Sequence, residues 1–171
     1  MFARDWAGAY TTNMKLFVSA TPAPEARTKN SRSISFLYAG ILLVLALAQL
    51  FTFDTFTQHF ETLDFPGGRS IAHLLAAVII VCEVFALPFL LRMALSPAFR
   101  VFSIACGWLV SVLWLFVNLW TLLQAPEAST IGFLGTLIEV TPGWWAALLS
   151  IVFGIMAVWA TWGMGPTRVR K

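Results

Sequence analysis

Charged side chains are scarce in this sequence: Asp, Glu, Lys and Arg supply 11% of its 171 residues, against roughly a quarter in an average soluble domain. A water-soluble surface is hard to build from so few. Cysteine is scarcer still, with only Cys82 and Cys106 present. Two cysteines make no disulfide framework. Both lie inside apolar stretches, outside any Cys-x-x-Cys or metal-ligand spacing, and read as small packing residues. The sequence has no Gly-rich phosphate loop, no haem ligands spaced for facing helices and no complete catalytic constellation.

What is abundant is apolar: 59% of the residues are hydrophobic, gathered into four blocks at 34–53, 71–91, 101–123 and 144–162. Each has about the 20 residues that a helix needs to cross ~30 Å of hydrocarbon. Lipid offers no partner for a free N–H or C=O, so such runs are helices even where Val, Ile and Phe abound. The fold class is an all-α membrane protein, a four-transmembrane-helix bundle. Residues 1–33 form a polar N-terminal segment, 34–163 the membrane domain and 164–171 a basic tail.

Basic residues near the span ends set the orientation. Arg4, Lys15, Arg27, Lys29 and Arg32 precede the first span, Arg92 and Arg100 lie between the second and third, and Arg168, Arg170 and Lys171 follow the fourth. Only Arg69 falls elsewhere, in the first outer loop with Asp54, Glu61 and Asp64. Both termini are therefore expected in the cytoplasm, and the membrane is expected to be a bacterial cytoplasmic membrane. The net charge of +3 is spread beside the spans rather than over one face, so the expected partner is the lipid bilayer and not nucleic acid. Ala46-Leu47-Ala48 resembles a signal-peptidase site, but the leader would be about twice the usual length. The apolar run also continues to Phe53, which gives an uncleaved signal anchor.

Residues 1–20 carry apolar side chains at spacings of 3 or 4 from Phe2 to Val18, which fits either an interfacial helix or a loosely ordered tail. The first outer loop, 54–70, reads as a solvated acidic loop. Its His59, Glu61 and Asp64 match no metal-ligand spacing, and no metal is predicted. In the second outer loop, Ile131–Val140 is apolar yet too short to span, and is expected to lie in the interface or fold back over the bundle. Thr141-Pro142 would start the fourth helix, with Trp144 and Trp145 as interfacial anchors.

Polar residues inside the spans are the candidates for function. Glu83 lies ~18 Å along the second span by helical rise, where an ionisable group costs a few kcal/mol and is normally turned inward. Pro88 loosens the helix by leaving the Val84 carbonyl without its donor. Gly107 and Ser111 form a small-xxx-small pair on the third span, and Ser111 falls at the depth of Glu83. Gln49 and Asn118, with His73 a little shallower, fall nearer the outer surface. They fit either an outward polar pocket or interhelical hydrogen-bond glue.

From Ser35 to Trp162 the pattern resembles the DoxX-like and MauE-type four-helix membrane proteins. The resemblance rests on a Phe-rich end to the first helix, the Pro66-Gly67 turn, and a second helix that runs Ala76, Cys82-Glu83, Leu90 and on to Arg92. Glu83 occupies the place of the group's characteristic acidic residue. The resemblance implies quinone and thiol-disulfide chemistry, but departs at two points. Ile131-Gly132-Phe133-Leu134-Gly135 stands where MauE-type proteins carry a Cys-Gly-Cys-Phe-Gly-like segment, and Gln49 stands near the place of a basic residue. Without a thiolate that loop has no nucleophile.

Three readings follow. The chain is an accessory or scaffold subunit, bound to a membrane-protein partner or to further copies of itself, with no catalysis of its own. Alternatively it holds a quinone or another bound lipid near Glu83, Ser111 and Asn118, with Glu83 exchanging protons. Third, it is a small proton-coupled transporter, although no inverted repeat relates its halves.

Overall fold

The computed structural model describes Ala20 and residues 29–124, 132–135 and 143–162. Among these residues every regular element is helical: α1 (Lys29–Phe51), α2 (Phe53–Thr62), α3 (Gly68–Leu90), α4 (Pro97–Gln124) and α5 (Trp144–Thr161). Four of them, all except α2, are long and apolar enough to cross a membrane. The reading of residues 1–20, of which only Ala20 is described, the Thr141-Pro142 helix start and the basic tail lie outside the described residues.

The four long helices pack as a closed ring, α1 on α3, α3 on α4, α4 on α5 and α5 back on α1. Small residues face inward at the contacts. Ala39, Ala72, Ala76, Ala86, Ala146, Ala157 and Ala160 are all buried, and Gly107 faces the Ala86 methyl so closely that an added Cβ would sit 3.6 Å from it. Without a hydrophobic drive between helices in lipid, this close backbone approach is the main source of cohesion. Large apolar side chains such as Leu37, Val44, Leu74, Val112 and Ile155 point outward, as a lipid-facing surface requires.

Helix limits differ from the apolar blocks where polar residues have a partner. α1 starts at Lys29 rather than Ile34 because Ser31 and Ser35 belong to it, donating to the carbonyls of Trp159 (3.2 Å) and Ala160 (3.3 Å). Those carbonyls lie in the last turn of α5, where backbone donors run short; that of Trp159 also accepts the Trp162 N–H at 3.3 Å. α4 starts at Pro97, the preferred first-turn place for proline, with Ser96 Oγ accepting the N–H of Phe99 at 3.3 Å.

The segment between the first two spans is not the solvated acidic loop that its composition suggests. It contains α2, whose Phe56, Thr57 and Phe60 are buried. The spacing Phe53, Phe56, Phe60, Leu63 is helical, and its apolar stripe outweighs the scattered acids. Leu63 and Phe65 are buried beyond it, and Trp120 of α4 donates to the Leu63 carbonyl at 2.9 Å. Gly67, with φ 106°, then turns the chain into α3. A side chain there would collide with Ile71.

Between the last two spans, residues 132–135 are described, and they fold back into the bundle. Phe133 is 3% exposed. Gly132 and Gly135, at φ 74° and 60°, bracket a turn closed by Gly135 N–H donating to the Gly132 carbonyl at 3.0 Å. A Cβ on Gly135 would fall on Thr52 Oγ1 and 3.0 Å from the Ala48 carbonyl, so both the left-handed backbone and the fit against α1 demand glycine.

Candidate functional site

Glu83 projects from the middle of α3 and has no solvent exposure. Its Oε1 accepts two hydrogen bonds from other helices, from Gln49 Nε2 of α1 at 3.2 Å and from Trp114 Nε1 of α4 at 3.0 Å. The Gln49 amide also donates to the Phe133 carbonyl at 3.1 Å. Glu83 thus ties together α1, α4 and the folded-back turn. Above it the rings of Trp114 and Phe133 lie 4.3 Å apart at 30°. Phe153 meets Phe133 edge-on at 5.8 Å, and Phe60 of α2 meets Trp114 at 6.5 Å. Through Trp114 the carboxyl borders this aromatic cluster, in buried surroundings that make its hydrogen bonds consequential.

The candidate residues separate into four places. Gln49 joins Glu83, although its helical depth set it well above. The ends of the apolar runs are not one plane, since α1 passes almost directly into α2, and two long side chains bridge the remaining distance. Ser111 does not meet Glu83. Its hydroxyl lies 3.3 Å from that of Tyr38, which itself donates to the Gly107 carbonyl at 2.8 Å. Asn118 bridges α4 to α5 through Ser150 Oγ at 2.8 Å and the Ala146 carbonyl at 3.3 Å. His73 pairs with Glu61 at the α2–α3 junction. Gln49, His73 and Asn118 therefore do not line one outward pocket, because each is held by a different neighbour.

Glu61 is the hub of the junction cluster, with Arg69 Nε 2.8 Å from its Oε1 and His73 Nε2 on the same oxygen. The hydrogen bond from His73, followed by that from Arg69, holds the Glu61 carboxyl below its ordinary value of 4.5.

Around Pro88 the helix is repaired from outside. Ser103 of α4 donates to the carbonyls of Phe85 (2.6 Å) and Ala86 (3.3 Å) and accepts the Phe89 N–H at 3.2 Å. Neighbouring helices commonly satisfy the backbone that a membrane proline frees. Cys82 and Cys106 are both buried and reduced, and their thiols face each other across α3 and α4.

Tyr38, Ser103, Trp114 and Phe133 do not stand out from hydropathy alone. For Trp114 there is a signal in the sequence: tryptophan normally sits at the membrane interface, and this one lies mid-span, where its N–H must find an acceptor. Tyr38 carries the same obligation through its hydroxyl. Compared with family models, curated proteins and solved structures, the chain matches none of them.

Proposed function

We propose that this chain is an accessory or assembly subunit of a larger complex in a bacterial cytoplasmic membrane, of DoxX/MauE type, with both termini in the cytoplasm and no thiol chemistry in its outer turn. The observation that carries the reading is Phe133. It stands at the place of the second cysteine in the Cys-Gly-Cys-Phe-Gly-like segment, between glycines that keep the left-handed backbone, and its side chain is buried as a packing anchor on Trp114. A turn of this shape with a phenyl ring in place of a thiol retains architecture and has no nucleophile. Glu83 then acts as a clasp between helices. The distribution of ten of the eleven basic residues supports the orientation.

Extraction of native membranes in mild detergent, followed by affinity purification of the tagged chain, tests the role. Stoichiometric membrane-protein partners are expected. A monodisperse monomer from gently solubilised native membranes would overturn it. Reporter fusions at the C-terminus test the orientation separately, with activity expected only for a cytoplasmic reporter.

A further inference from the structure

Gln49 Nε2 lies 3.1 Å from the Phe133 carbonyl and 3.2 Å from Glu83 Oε1. A peptide carbonyl can only accept, so the nitrogen of this amide, and not its oxygen, is the atom turned to both. Its two N–H groups are thereby used. Glu83 Oε1 also takes the Trp114 N–H at 3.0 Å and is therefore the accepting oxygen of the carboxyl. Two buried oxygens are left, Glu83 Oε2 and Gln49 Oε1, each without a hydrogen-bond partner and in side chains without solvent exposure. As two acceptors they would both stay unpaired, which is costly. One proton on Oε2 satisfies both. A neutral acid and a primary amide that already share an N–H···Oε1 bond close edge to edge through a second bond, from the acid O–H to the amide oxygen.

The charges around the pair favour the same state. Among the described residues the ion pairs are those of Glu61 with Arg69 and His73, and no basic side chain is paired with Glu83. The titratable groups that face it are Tyr38 of α1 and Cys82 of its own helix, with Cys106 of α4 beyond Cys82. All three are neutral at about pH 7. α5 has no titratable side chain. α2 presents His59 to the turn and not to the carboxyl, since a Cβ on Gly132 would lie 3.2 Å from its ring. An ionised Glu83 would be a charge in hydrocarbon with no cation beside it.

We propose that Glu83 stands in the folded chain as the neutral acid, its Oε2 proton shared with Gln49 Oε1, and that this proton latches the 132–135 turn to the bundle. The amide that receives the proton is the one that holds the Phe133 carbonyl. Loss of the proton to a base sets Oε2 and Gln49 Oε1 against each other as two acceptors, and an amide that turns away from the carboxylate withdraws its nitrogen from Phe133. The latch is closed on the acid side and opens as the pH rises. It adds a chemical state and a trigger to the clasp, and its failure would leave the partner experiment untouched.

Infrared spectroscopy of the purified full chain in mild detergent tests the state. At about pH 7, where an ordinary carboxyl is ionised, the native chain is expected to show the carbonyl stretch of a protonated carboxyl, shifted down in D2O and lost in Glu83→Gln. Gln49→Leu should move that band to higher frequency, because the acid loses its acceptor. If that variant fails to fold, Gln49→Asn, which withdraws the amide by one methylene, should move it in the same direction. Hydrogen exchange of the peptide spanning 132–135 tests the latch. Native chain and Glu83→Gln, which has no proton to lose, should exchange equally while the band is present. Once alkaline titration has removed the band, the native turn should exchange about tenfold faster. Absence of the band at the lower pH, a band unmoved by either Gln49 variant, a band that outlasts the fold on alkaline titration, or equal exchange after its loss would each overturn the proposal.

Discussion

At the end of the bundle that carries α2, side chains from distant parts of the chain meet one another, Gln49 and Trp114 at Glu83 and Phe133 at Trp114 and Phe153, while Trp120 reaches the Leu63 carbonyl. At the opposite end, small hydroxyls reach main-chain carbonyls, as Ser31 and Ser35 do on α5 and Ser103 does beside Pro88. The first arrangement specifies which groups meet and leaves polar atoms over, at Glu83 and Gln49. The second rests mostly on main-chain acceptors, with a side-chain pair in Trp108 Nε1 donating to Thr161 Oγ1 at 3.2 Å. In lipid, where burial drives helices together weakly, selectivity of packing is concentrated at the α2 end.

Substitutions at the two ends are expected to differ in cost. Trp114→Ala removes the wall shared by Glu83, Phe60 and Phe133 and is expected to cost about 3–5 kcal/mol, the range for a buried large-to-small change, measured by unfolding in mixed micelles. Glu83→Ala leaves the Gln49 and Trp114 donors facing each other without an acceptor, for a loss of about 3 kcal/mol. Glu83→Gln keeps an acceptor oxygen and should recover most of it. Equal losses for the Ala and Gln variants would show that the clasp is not a hydrogen-bond device. At the other end, Ser103→Ala is expected to cost only about 1 kcal/mol. A loss as large as that of Glu83→Ala would erase the distinction between the two ends.

The smallest effect concerns the α2–α3 junction. Because the Glu61 carboxylate is held below 4.5 in the folded protein, its contribution is present above that value and lost as the pH falls through the lower folded value. The difference in melting temperature between the native chain and Glu61→Gln should therefore be full above pH 4.5 and shrink as the pH is taken progressively below it. A difference that persists in acid would assign the junction to packing.

The four spans were legible because lipid imposes a single solution on long apolar runs. Glu83 was equally legible as the one acid in their interior. Its partners were not. Hydropathy places residues along one helix, whereas the union of Gln49, Trp114 and Glu83 depends on how three helices rotate and tilt against one another. Counting rise from the ends of the runs misplaced Gln49 for the same reason, and paired Ser111 with Glu83 when its neighbour is Tyr38. α2 was hidden by its acids, although Phe56 and Phe60 already stood one turn apart. The turn at 132–135 was half legible: its apolar character forbade a free loop, but nothing in the sequence says that Phe133 enters the core.

Ser31 and Ser35 lie in the first spanning helix, and the carbonyls they bind belong to the last turn of the last one. A ribosome delivers these partners in the reverse of the convenient order, with the hydroxyls emerging more than a hundred residues before their acceptors. Until Ala160 has been made, the ring of helices remains open on the α1–α5 side. Completion of the bundle thus waits for α5, and any companion that shields this seam has the synthesis of α2, α3 and α4 in which to act.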